Sequence, residues 1–101
     1  MSHVVLERNQ LHARLKVFLD QHREAYGLRA LGYFGSYARG EAGEESDIDI
    51  VFDSDRPNLF MTAMLKQDLE EWLGRPVDVL QLRGMSNDRL KARIQAEAVY
   101  V

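Results

Sequence analysis

The chain has 101 residues, 46% of them hydrophobic and 29% charged, which excludes a disordered, collagenous or coiled-coil polypeptide. One domain over 1–101 with its own core is expected, and the absence of cysteine removes disulfides, thiolate zinc sites and a cysteine nucleophile. Sixteen acids against thirteen bases give a formal charge of −3, which disfavours broad binding of duplex nucleic acid but leaves open a small anionic substrate held through a metal.

The first segment places Leu11, Leu15, Phe18 and His22 at helical spacing among charged residues, and Gly27 is a natural stop. Arg29 to Gly35 reads as a short buried strand in which Gly32 lets a neighbour pack close. Gly35-Ser36-Tyr37-Ala38-Arg39-Gly40 is a strand-to-helix turn opening a very short helix. After a polar loop, Asp47-Ile48-Asp49-Ile50-Val51-Phe52 reads as a half-buried strand, and Asp53 to Pro57 as a turn. Asn58 to Leu73 carries a wide apolar helical face, with Met61, Met64 and Trp72 expected in the core. Gly74-Arg75-Pro76 stops it, and Val77-Asp78-Val79-Leu80 is a third strand. A last helix from about Asn87 to Glu97 and a terminal strand over 99–101 complete an α+β order: a small mixed β-sheet packed with helices. The apolar runs are too short to span a membrane, and Met1-Ser2-His3-Val4 lacks a signal pattern, so a soluble, cytoplasmic protein is expected.

Two features carry chemistry. A helix opening at Gly35-Ser36 points free backbone N–H groups outward, where Gly35 lets a phosphate come close and the Ser36 hydroxyl adds a donor. Asp47 and Asp49, two apart on a strand, share one face, while Ile48 and Ile50 face a core. Paired carboxylates there repel unless a cation joins them, and oxygen ligands without Cys or His point to Mg²⁺ or Mn²⁺. Asp78 is a costly acid inside a short apolar strand. If its strand lies beside the second, three acids meet and can hold two metals about 3.5–4 Å apart, as in phosphoryl-type displacement.

Gly35-Ser36, ten intervening residues and Asp47-Ile48-Asp49 together resemble the signature of the polymerase-β-like nucleotidyltransferases. The string Phe34-Gly35-Ser36-Tyr37-Ala38-Arg39-Gly40 with Ser46-Asp47-Ile48-Asp49-Ile50 is similar to their minimal, single-domain members, known as the antitoxins of HEPN–MNT toxin–antitoxin pairs. The resemblance implies the nucleotidyltransferase fold and transfer of a nucleoside monophosphate from ATP or another NTP to a hydroxyl, with release of pyrophosphate. By position, Gly35 and Ser36 would hold the triphosphate, Asp47 and Asp49 would bind two Mg²⁺ ions, and Asp78 would bind one of them and act as general base. In the antitoxin members the acceptor is a tyrosine of the partner HEPN toxin, which implies AMPylation and a hetero-oligomer. Tyr37 stands where many minimal members have a basic residue.

Arg39 either reaches the phosphates or pairs with Glu41, Glu44 or Glu45. Tyr37 reads as a partly buried turn aromatic. His3, His12 and His22 are too scattered for a metal site, and His22 is expected to pack on the first helix. Arg83, Arg89, Lys91 and Arg93 read as a solvated basic face. Two rivals to the antitoxin reading stay open: a nucleotide-sensing module that neutralises its partner by contact, and a small-molecule nucleotidyltransferase completed by a separate helical subunit.

Overall fold

The computed structural model describes residues 6–43, 46–56, 58–83 and 85–101. His3, Glu44, Glu45 and Pro57, named above, lie outside them. The elements follow the expected order: α1 (Arg8–Tyr26), β1 (Leu28–Phe34), α2 (Ser36–Arg39), β2 (Ile48–Ser54), α3 (Leu59–Leu73), β3 (Val77–Gln81), α4 (Asp88–Glu97) and β4 (Val99–Tyr100). The strands form one sheet in the order β3-β2-β1-β4. β1 runs antiparallel to β2 and β4, while β2 and β3 are parallel, the direction expected when a helix such as α3 carries the chain across.

Strand alternation divides the sheet into two faces. Ile50 and Phe52 of β2 pair with Tyr33 and Leu31 of β1, and Ile48 with Val77 of β3, to make one apolar face. Leu11, Leu15 and Phe18 of α1 and Leu65 and Leu69 of α3 are buried with it in one cluster. Each such fully buried side chain contributes about 1.5–3 kcal/mol relative to exposure. His22 packs on its own helix as expected, its ring stacked 4.0 Å from that of Phe18. The second face carries Phe34, Asp49 and the fully buried Val51, and α4 lies over it, bringing Leu90 and the buried Ile94 towards Phe34 and Asp49.

Gly32 fits its expected role. A Cβ there would meet the Val99 carbonyl at 2.6 Å, so a larger residue would push β4 off β1.

The apolar face of α3 is narrower than its sequence predicts. The Asn58 side chain accepts from the Met61 N–H at 2.7 Å and starts the helix, and Met61, Leu65, Leu69 and Leu73 alone turn inward. Leu59 is 90% exposed and Phe60 78%, and Met64 and Trp72 also reach solvent, which corrects the core placement of the last two. One turn of helix offers the sheet only an i, i+4 stripe, so residues a third of a turn away face out. Trp72 instead donates from Nε1 to the Arg14 carbonyl at 3.0 Å and leans on Phe18. β2 extends two residues past the expected end because Asp53 and Ser54 pair with Ala30 and Leu28 of β1, and the buried Ser54 hydroxyl also donates to the Tyr26 carbonyl at 2.7 Å. No described helix is long and apolar enough to cross a membrane.

Candidate active site

Phe34 pairs with Asp49 across β1 and β2, and Asp49 pairs with Asp78 across β2 and β3. The Gly35 turn, Asp49 and Asp78 therefore stand side by side at one end of three adjacent strands. Asp47 is not on the strand as expected. It lies just ahead of β2, in a segment tied down from the α3–β3 connection: Arg75 donates to the Ser46 carbonyl at 2.9 Å, and the Ile48 N–H donates to the Pro76 carbonyl at 3.3 Å. Glu70 in turn accepts from the Val77 N–H at 3.2 Å and seats the residue before Asp78. Sequence reading gave Arg75 and Glu70 no such role, because their partners are backbone atoms distant in the chain.

Gly35 is buried, with φ 71° and ψ −145°, a conformation that L side chains rarely adopt. A Cβ at this position would lie 2.2 Å from Asp49 Oδ2. The turn and the carboxylate thus occupy one slot that admits no side chain between them. The first amides of α2 beyond it have no carbonyl partner within the helix.

Burial raises the Asp49 carboxyl above the usual carboxylate range, and the neighbouring Asp78 and Asp47 charges push the same way; Arg39 draws it down, and Glu97 adds to the rise. Arg39 thus offsets only part of the charge that Asp78 and Asp47 place on Asp49. Among the described residues, no three His, Asp or Glu side chains close on a common point as a ready cage. As a donor set, three carboxylates suit a hard divalent cation bound through oxygen.

Two cavities meet at Phe34 and Asp49. One, of about 210 Å³, is lined by Gly35 and Arg39 on the turn side and by Leu90, Arg93, Ile94 and Glu97 of α4. The other, of about 540 Å³, runs past Asp78, Val79 and Leu80 to Leu59, Thr62, Ala63 and Lys66 of α3.

Arg39 lines the first cavity but is engaged, donating to Glu41 at 2.9 Å and to Glu97. The surface pairing with Glu41 foreseen from the sequence is present, joined by a Glu97 contact that only the fold creates. Arg93 lines the same cavity without an ion-pair partner among the described residues. It was missed as a site residue; the available signal was its place beside Leu90, Ile94 and Glu97 on one side of α4. Arg83, from the same basic stretch, is bound to Asp53 at 3.1 Å. Tyr37 is fully buried rather than partly so, and its hydroxyl has no hydrogen-bond partner among the described residues. The His12 Nδ1 meets the Tyr33 hydroxyl at 3.1 Å, so neither described histidine joins the acids.

The sequence profile described as a nucleotidyltransferase domain matches residues 15–101. The chain belongs to the nucleotidyltransferase family. Its similarity extends to the protein adenylyltransferase MntA of Thermococcus cleftensis, 36% identical over 98 residues that cover 96% of this chain and 98% of that protein. A solved minimal nucleotidyltransferase superposes with a TM-score of 0.79 at 35% identity, covering 98% of both chains. A toxin–antitoxin complex with AMP-PNP shares the fold at a TM-score of 0.74 and 24% identity, over 88% of this chain and 70% of that one.

Proposed function

We propose that this nucleotidyltransferase moves AMP from ATP to a tyrosine hydroxyl of a partner HEPN-type toxin, acting as its antitoxin in a cytoplasmic hetero-oligomer. The observation that carries the transfer chemistry is the row formed by the Gly35 turn, Asp49 and Asp78, with Asp49 bordering both cavities. The similarity to a named protein adenylyltransferase supports AMP as the group and a protein as acceptor. The partner class follows from the motif resemblance.

In this reading the triphosphate lies in the smaller cavity, against the Gly35-Ser36 amides. Among the described residues lining that cavity Arg93 is the cation free to meet it, and Arg39 joins once it leaves Glu97. Asp47, Asp49 and Asp78 would hold Mg²⁺, or Mn²⁺, which when bound would neutralise charge on the phosphates and lower the pKa of the attacking hydroxyl. The acceptor enters from the larger cavity, where Asp78 lies, and its proton passes to the Asp78 carboxylate as its oxygen bonds to the α-phosphorus. The bond from the α-phosphorus to the bridging oxygen breaks, and pyrophosphate leaves.

Incubating the protein with ATP labelled at the α-phosphate, Mg²⁺ and a lysate of the source cells tests this directly. A labelled protein band that depends on Asp49 and contains adenylyl-tyrosine by mass is the expected result. Label confined to small molecules would overturn the protein acceptor, and equal labelling by Asp49→Asn would overturn the site.

A further inference from the structure

The larger cavity has an unusual charge layout. Asp78 and Leu80 lie on one face of β3 and Val79 on the other, yet all three line it, so the cavity is a groove passing over the free edge of this outer strand. Its inner end is acidic, at Asp49 and Asp78. Its outer wall is the exposed side of α3, where Thr62 and Lys66 are one helical turn apart. The Thr62 hydroxyl gives its proton to the Asn58 carbonyl at 3.0 Å, leaving no donor for a ligand. Lys66 is the one cation lining the groove among the described residues, and it has no ion-pair partner among them. Of the two arginines lining the adjoining cavity, Arg39 is committed to Glu41 and Glu97, and Arg93 lies on the α4 side, away from this groove's lining.

We propose that Lys66 forms an anion subsite in the acceptor groove, holding a phosphodiester or carboxylate group carried beside the acceptor hydroxyl. The inference rests on the transfer reading above and assigns the acceptor a polarity. With the triphosphate in place the inner end of the groove stays net negative and admits a neutral hydroxyl, while the ammonium at the other end attracts the anion, which favours one orientation of the acceptor. The group has two natural sources: a nucleotide already attached to the acceptor, or an acidic side chain next to it in the partner.

The test compares three acceptor probes with Mg²⁺ and ATP: O-adenylyl-tyrosine blocked as its N-acetyl amide, whose accepting group is a ribose hydroxyl, N-acetyl-glutamyl-tyrosinamide and its neutral glutaminyl counterpart. Wild type, Lys66→Ala, Lys66→Arg and a control on α1, Lys16→Ala, are assayed for kcat/KM. For a solvent-exposed charged contact the preference for an anionic over the neutral probe should fall about 1.5- to fivefold in Lys66→Ala, through KM. Lys66→Arg should retain most of it and Lys16→Ala all of it. Loss with the adenylyl probe alone identifies the phosphodiester as the source, and loss with the glutamyl probe alone the carboxylate. A wild type without preference, or a preference unchanged in Lys66→Ala, overturns the subsite. Binding of O-adenylyl-tyrosine, followed by NMR titration, separates this from the activity itself. If no probe is turned over, salt-sensitive binding lost in Lys66→Ala still supports the subsite, and absence of binding to wild type overturns it.

Discussion

Replacing Gly35 with alanine isolates the contact on which the site is built. The new Cβ would sit 2.2 Å from Asp49 Oδ2, whereas ordinary contact begins at 3.4 Å, so the carboxylate must retreat by about 1.2 Å. A displacement of about 1 Å at a reacting centre costs on the order of 100-fold in rate. The backbone, at φ 71° and ψ −145°, adds strain of about 1–3 kcal/mol for a residue with a side chain. For a domain of this size each kcal/mol lowers Tm by roughly 4–8 °C, so a fall of about 5–20 °C is expected with the fold retained. Gly40→Ala is the matched control. Its φ is 73°, but nothing lies within 4 Å of the added Cβ. It should lose about 1 kcal/mol of stability and keep transfer within about threefold of wild type. Circular dichroism melts and label transfer from α-labelled ATP read both effects. A Gly35→Ala variant with near wild-type transfer, or losses equal in the two variants, would refute the steric coupling of turn and carboxylate.

Other expectations follow from the same geometry. In the metal-free protein the raised Asp49 carboxyl makes the folded state bind its proton more readily than the unfolded chain, so this group's contribution to stability falls as pH rises through the carboxylate range. Asp49→Asn should flatten that slope in urea titrations and raise the metal-free Tm at neutral pH while abolishing transfer; an unchanged slope would contradict the burial and charge argument. Arg75→Ala, which frees the Ser46 carbonyl ahead of Asp47, should cost about 1 kcal/mol of stability and reduce transfer several-fold, measured by melts and initial rates. On α3, Leu65→Ala should cost about 2–5 kcal/mol in denaturant midpoints, whereas Phe60→Ala, at 78% exposure, should change stability by less than about 0.5 kcal/mol.

The local chemistry of this protein was legible in its residues. Apolar periodicity marks α1 and β2 because burial selects side chains at the helix and strand repeats, and the glycine-serine turn followed by Asp47 and Asp49 carries its own chemical logic. Three things were decided elsewhere. Asp78 joins Asp49 only because β3 pairs parallel to β2 in this register, and sequence spacing does not fix pairing. Which residues of α3 are core depends on the single stripe that meets the sheet, so Leu59 and Phe60 are apolar yet face water. Which cations are free depends on acids far along the chain: Glu97 occupies Arg39, Asp53 occupies Arg83, and Arg93 and Lys66 remain to line the two cavities. The sequence alone determines periodicity and the identity of the reactive groups, because these are local properties of the chain. Only the tertiary structure decides which groups share a field, because charge and contact act through space, and distance along the chain does not set distance in space.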